Sequence, residues 1–176
     1  MSKTAAAVLA FVCLTLFSIP MSAQLLPTGN IYGGVSYGQF TEAGVARQSY
    51  HGWNGSAEAF PTPRFPHLGV VIDASGFYRS NANSGKITQY NFLAGPRFSA
   101  NFGRWRPFVH ALGGIQMVNS SGITYNPVAI DAGGGADYKL HIKNFSWRLQ
   151  GDVIRTRYVS ATQFDYRAST GIVWRF

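Results

Sequence analysis

From about residue 30 to Phe176 the chain alternates apolar and polar side chains in blocks of roughly 9 to 14 residues, separated by Gly, Asn, Ser and Pro. A period of two puts successive side chains on opposite faces of a strand, so only a sheet with two chemically different faces accommodates it. The last block is the clearest. Tyr166, Ala168, Thr170, Ile172, Trp174 and Phe176 share one face, and Arg167, Ser169, Gly171, Val173 and Arg175 share the other. Before it, Trp147, Leu149, Gly151 and Val153 oppose Arg148, Gln150 and Asp152. Val128, Ile130, Ala132, Ala136, Tyr138 and Leu140 oppose Asp131, Asp137, Lys139 and His141, and Tyr90, Phe92, Ala94 and Phe98 oppose Gln89, Asn91, Gly95 and Arg97.

The alternation predicts eight strands, at residues 30–40, 48–60, 66–79, 86–99, 106–118, 128–141, 145–157 and 164–176. Gly33, Gly34, Gly38, Gly52 and Gly55 dilute the first two, as a tightly curved sheet would allow. The connections are short, at 41–47, 61–65, 80–85, 100–105, 119–127, 143–144 and 158–163. An even strand count puts both ends of the barrel sequence on one side, so the first, third, fifth and seventh connections are expected to face outward.

The N-terminus bears on compartment. Lys3 precedes an apolar run from Ala5 to Phe17, followed by Ser18, Ile19, Pro20, Met21, Ser22, Ala23 and Gln24. That is the layout of a secretory signal peptide, too short to span a bilayer, with cleavage expected after Ala23. The expected domains are a signal peptide at 1–23 and a barrel at 24–176. Cys13, the single cysteine, lies in the leader, so no disulfide framework is expected. The net charge is +8, yet the eleven arginines are scattered singly from Arg47 to Arg175, without the basic run or helix that tracks phosphates. Nucleic acid is therefore not an expected partner.

A soluble lipocalin-like barrel also alternates, but it turns its apolar face inward around a ligand. Here the polar face mixes small, amide and oppositely charged residues, as a narrow wet lumen requires. Tyr90, Phe98, Tyr138, Trp147, Tyr166 and Trp174 fall near the ends of the apolar faces, where the interfacial girdles of a membrane barrel lie. Closure also has a motive, because each backbone group left unpaired in hydrocarbon costs several kcal/mol, and a barrel leaves none. The expected class is thus all-β, an eight-stranded antiparallel up-and-down transmembrane β-barrel preceded by a cleavable signal peptide. A charge network of Arg97, Asp131, Asp137, Arg148, Asp152 and Arg167 is expected in the lumen.

The C-terminal strand from Tyr166 to Phe176, with alternating apolar positions ending on an aromatic residue, resembles that of the small outer-membrane β-barrel superfamily, the OmpA-transmembrane and OmpX-like group. The stretch Tyr90-Asn-Phe-Leu-Ala-Gly-Pro-Arg-Phe98 is similar to a central strand of such barrels, although Pro96 departs from the pattern and implies a local bulge. The resemblance implies that Tyr166, Ile172, Trp174 and Phe176 act as the signal read by the outer-membrane barrel-assembly machinery. It also implies periplasmic chaperones as transient partners, outer-membrane lipid as the surroundings, and a monomer located in the bacterial outer membrane.

Chemistry is sparse. His51, His67, His110 and His141 lie on different blocks without the spacing of a metal motif, and Gly133-Gly134-Gly135 lacks the Lys-Ser/Thr ending of a phosphate loop. No cofactor, metal or catalytic residue is expected. A barrel enzyme would need an acid and a base at the outer rim, for which His110, Asp131 and Asp137 are the candidates. A wide channel conflicts with eight strands, whose interior side chains fill. Tyr37, Tyr50, Trp53, Tyr125 and Tyr158 are candidates for an outer-rim contact surface or for interfacial anchoring. A structural or surface-interaction role in the envelope is the leading expectation, with a small channel, a barrel enzyme and a soluble ligand-binding barrel as alternatives.

Overall fold

The computed structural model describes residues 28–40, 48–61, 65–81, 85–120, 123–157 and 162–176. The proposed leader, its cleavage site and Tyr158 lie outside them. The strands are β1 (Gly29–Phe40), β2 (Gln48–Ala59), β3 (Leu68–Asn81), β4 (Gly85–Ser99), β5 (Trp105–Ser120), β6 (Ile123–Tyr125), β7 (Val128–Lys139), β8 (Phe145–Arg157) and β9 (Thr162–Arg175). Eight long strands pair antiparallel, each with two neighbours, and the ring closes where β1 pairs with β9 from Asn30↔Arg175 to Gln39↔Tyr166. Beyond that ladder, Gly29 and Phe176 exchange backbone hydrogen bonds of 3.2 and 3.1 Å. The long strands therefore present no open edge, the liability that closure removes.

Two local features differ from the sequence-based expectation. The fifth connection contains β6, which folds back onto the end of β5 through Val118↔Tyr125 and Ser120↔Ile123. The β-branched and aromatic run Ile123-Thr-Tyr125 favours such an extension. Pro96 makes no bulge. Pairing with β5 lapses at Gly95 and Pro96 and resumes at Arg97↔His110 in the same register as Ala94↔Gly113, so a rung is missing but no residue is inserted. Proline, lacking an N–H, explains the missing rung.

Two turns at the end of the barrel nearest Gly29 and Phe176, those before β5 and β8, are tight. Phe102 and Trp105 exchange hydrogen bonds of 2.8 and 3.0 Å around Gly103, which takes a φ of 61°. Among the described residues Asn144 takes the other positive φ, 69°, in the turn before β8, a conformation asparagine tolerates better than most residues.

Polarity is inverted relative to a soluble fold. In β8 exposure and burial alternate at every residue from Phe145 to Arg157, with Leu149 and Val153 outside and Arg148, Gln150 and Asp152 inside. Ile72 and Val35 are each 66 % exposed, while Arg97 and Arg148 are 1 % exposed. The inward face is not uniformly polar: Val71, Leu93, Leu112, Ala129 and Ile154 form one apolar cluster, and Phe40, Tyr50 and Phe77 another.

Candidate functional site

The site with most chemistry is the lumen. Of the seven acidic residues in the chain, six (Glu58, Asp73, Asp131, Asp137, Asp152 and Asp165) are buried inside the barrel. Parity places them there: each falls on the inward register of its strand, where water-excluded charges must find partners or destabilise the fold.

Arg167 on β9 is the hub of the upper network. Its Nε lies 2.6 Å from Asp152 Oδ2, its Nη2 2.9 Å from Asp131 Oδ2 and its Nη1 2.9 Å from Asp73 Oδ1. Gln150 donates to both oxygens of Asp152, and Asn54 donates to Asp73 Oδ2 at 2.8 Å. His110 on β5 faces the same carboxylates, with Nε2 3.1 Å from Asp152 Oδ1 and 3.9 Å from Asp131 Oδ1.

A second network lies nearer Gly29 and Phe176. Arg148 binds Asp137 through two nitrogens, and Arg175 reaches the same carboxylate at 3.0 Å. Arg97 turns instead to Glu58, at 3.3 Å, which also accepts from Asn30 at 2.7 Å. Both guanidiniums lie over the ring of Phe108, those of Arg97 and Arg148 standing 4.5 and 4.6 Å from its centroid. Such cation–π contacts partly replace lost hydration.

The six arginine and aspartate residues singled out from sequence thus all lie inside, but with separate partners: Arg167 with Asp131 and Asp152, Arg148 with Asp137, and Arg97 with Glu58. Gln150 takes the inward face expected of it, whereas Glu58, Asp73 and Asn54 do not figure in the sequence-based network. Their signal was available in the parity of Asn54, Ser56 and Glu58 on β2 and of Asp73 and Ser75 on β3, which the glycines obscured. The rim triad of His110, Asp131 and Asp137 does not form: His110 and Asp131 meet in the buried interior, and Asp137 is held by arginines in the other network. Lys139 and His141 are exposed at the strand end rather than directed inward, because the barrel wall stops there.

The outer wall carries two aromatic belts. Phe98, Trp105, Phe145, Trp147, Trp174 and Phe176 are exposed toward one end, and Tyr37, Trp53, Tyr78, Phe164 and Tyr166 toward the other. Along β9, Tyr166 and Trp174 are eight residues apart, about 26 Å of strand and about 20 Å of height at a tilt near 40°, close to the apolar band of a membrane barrel. The polar tips are partnered: Trp147 donates to Thr170 Oγ1 at 2.8 Å, and Trp53 donates to the Tyr78 hydroxyl at 3.1 Å. Tyr50 departs from the expected rim surface. It points inward, packing edge-on against Phe40, which in turn packs on Phe77, at 5.0 and 4.8 Å between ring centroids. These rings plug the lumen end opposite the tight turns. Gly38 makes room for them, since a Cβ there would collide with Phe40 and crowd Phe77, whereas a Cβ at Gly52 would first strike the Gly76 carbonyl.

Comparison with known proteins agrees with this geometry. Neisserial surface protein A superposes with a TM-score of 0.69 at 12 % identity, over 84 % of this chain and 97 % of that one. The fold is that of the small outer-membrane β-barrels. Ail, the attachment invasion locus protein of Yersinia pestis, gives 0.59 at 18 % identity over 86 % and 100 % of the two chains. The N-terminal barrel domain of Pseudomonas aeruginosa OprF gives 0.53 at 15 % identity over 84 % and 97 %. No family model and no curated protein sequence matches the chain.

Proposed function

We propose that the chain is an integral outer-membrane protein, inserted as a monomer, with a structural or surface-interaction role in the bacterial envelope and no catalytic activity. One observation carries this reading: the wall between the aromatic belts is lined by exposed Ile, Val, Leu and Phe, while Glu58, Asp73, Arg97, Asp131, Asp137, Arg148, Asp152 and Arg167 turn inward and the exposed charges Lys139, Arg155 and Arg157 lie toward the strand ends. Exposed apolar area of that extent is unfavourable in water and favourable against acyl chains. In this reading lipid is the permanent partner. The assembly machinery and periplasmic chaperones act only during insertion, with Tyr166, Ile172, Trp174 and Phe176 as the strand they recognise. The aromatic plug and the arginine layers argue against a wide pore, and the burial of His110 and Asp131 argues against substrate access from the rim.

Cell fractionation combined with heat-modifiable gel migration tests the proposal. The protein should fractionate with the outer membrane and migrate faster unboiled than boiled. Recovery from the periplasm without detergent, with one mobility in both conditions, would reject it.

A further inference from the structure

We infer that His110, Asp131 and Asp152 form a buried site for a divalent first-row transition metal, with Zn²⁺ the ion their donor set fits best. One donor atom from each residue lies within 4.8 Å of the others. His110 Nε2 is 3.1 Å from Asp152 Oδ1 and 3.9 Å from Asp131 Oδ1. Two ligand atoms bound at about 2.0 Å to a tetrahedral centre stand about 3.3 Å apart, so these separations bracket the spacing required. One imidazole and two carboxylates suit zinc or cobalt, whereas calcium and magnesium favour about six or more oxygens.

Orientation supports the site. Arg167 takes Oδ2 of both Asp131 and Asp152, and each Oδ1 is turned toward His110, that of Asp152 while also accepting from Gln150 at 3.1 Å. Hydrogen bonds of this kind, made behind a metal ligand, fix its direction. Asp131 Oδ1 and His110 Nε2 nonetheless have no hydrogen-bond partner, although Asp131 is 0 % and His110 6 % exposed. The 3.1 Å approach of Asp152 to the imidazole is therefore not aligned as an N–H···O bond.

Charge points the same way. Three carboxyl groups, of Asp73, Asp131 and Asp152, surround the single guanidinium of Arg167, so acids outnumber cations there. The nearby guanidiniums of Arg97 and Arg148 are engaged by Glu58 and Asp137. A divalent cation bound among them would supply the missing positive charge. The surroundings sharpen the need, because Asp131 lies between Leu112 and Ile154 in the sheet register. Gly133 completes the cradle. It lies between His110 and Asp152 in register, and a Cβ there would collide with Asp152 Oδ1.

The test uses tag-free protein, metal-stripped in urea and folded into detergent micelles with Zn²⁺ or Co²⁺, freed of excess ion by gel filtration and assayed by elemental mass spectrometry. Folded wild type should keep about one Zn²⁺ per chain, and Co²⁺ should give the intense visible absorption of a four-coordinate centre. His110→Gln and Asp131→Asn should each lower retention about ten-fold or more, and the surface change His141→Gln should not. Metal retained equally by wild type and His110→Gln, or no more than background in wild type, would overturn the site. Should neither lumen variant fold, as judged by gel migration, the wild-type imidazole resonances decide: Zn²⁺ should displace the Nε2 signal of one buried histidine, and unchanged resonances refute the proposal.

Discussion

Arg148 on β8 and Asp137 on β7 meet in a two-point ion pair, with Nε 2.6 Å from Oδ1 and Nη2 3.0 Å from Oδ2. The two residues are register partners, so the pair spans one rung of the ladder inside the lumen. Asp137 also receives Arg175 at 3.0 Å, and this makes the pair asymmetric. Arg148→Met leaves Asp137 a remaining cation, whereas Asp137→Ala strands both guanidiniums. Removing one partner of a buried pair costs about 3–5 kcal/mol. Urea unfolding in detergent should therefore show a larger loss for Asp137→Ala than for Arg148→Met. The double variant should be less destabilised than Asp137→Ala alone, and strict additivity would show that the pair is not coupled.

Leu149 and Gln150 are adjacent in β8 and meet opposite surroundings: Leu149 is 54 % exposed on the outer wall and Gln150 is 2 % exposed within. Leu149→Arg should destabilise the barrel by about 2–4 kcal/mol in a lipid bilayer, the range for an arginine facing the hydrocarbon midplane. The same variant should lose much less in a denaturant titration from short-chain detergent, whose apolar shell is thinner and more adaptable. An equal loss in the two media would contradict a lipid-facing position.

The alternation on β8 and β9 made both faces readable before any coordinates, because Arg148, Asp152 and Arg167 mark the inward register without ambiguity. What stayed hidden was lateral: which acid meets which arginine depends on the stagger between strands, and no single-strand pattern encodes it. Hence the sequence groups Arg97 with the aspartates although it pairs with Glu58, and gives no sign that His110 meets Asp152. Tyr50 was misplaced for a different reason. Aromatics suit both a lipid interface and a plugged lumen, and only the count from Asn54 and Glu58 along β2 separates them. Pro96 misled because a missing donor was equated with an inserted residue.

Gly34 and Gly171 face each other across the β1–β9 seam that closes the ring. A Cβ on either would strike the opposing backbone, and a Cβ on Gly34 would also meet the Tyr32 hydroxyl. Gly171→Leu should thus hinder closure more than Gly151→Leu, whose Cβ position is open. Folding yield in micelles, read as the fast-migrating band on unboiled gels, should fall severely for Gly171→Leu and little for Gly151→Leu. Equal yields would mean that the seam tolerates being spread.

Phe176 carries two separable roles, and deleting it distinguishes them. Its backbone N–H and C=O pair with Gly29, so the residue extends the closing ladder by one rung, while its ring lies against Trp174 at 5.3 Å between centroids on the outer wall. Loss of one terminal rung and one exposed ring is a small change for a closed barrel, on the order of 1 kcal/mol. Spontaneous folding of the deletion variant into micelles should therefore be nearly normal. In cells the expectation is the reverse: if the terminal aromatic belongs to the strand read by the assembly machinery, export should continue while heat-modifiable protein in the outer membrane falls several-fold and unfolded chain accumulates in the periplasm. Phe176→Tyr should restore assembly by keeping an aromatic ring, and Phe176→Ser should not. Normal assembly of the deletion variant would leave the C-terminal strand with only its structural role.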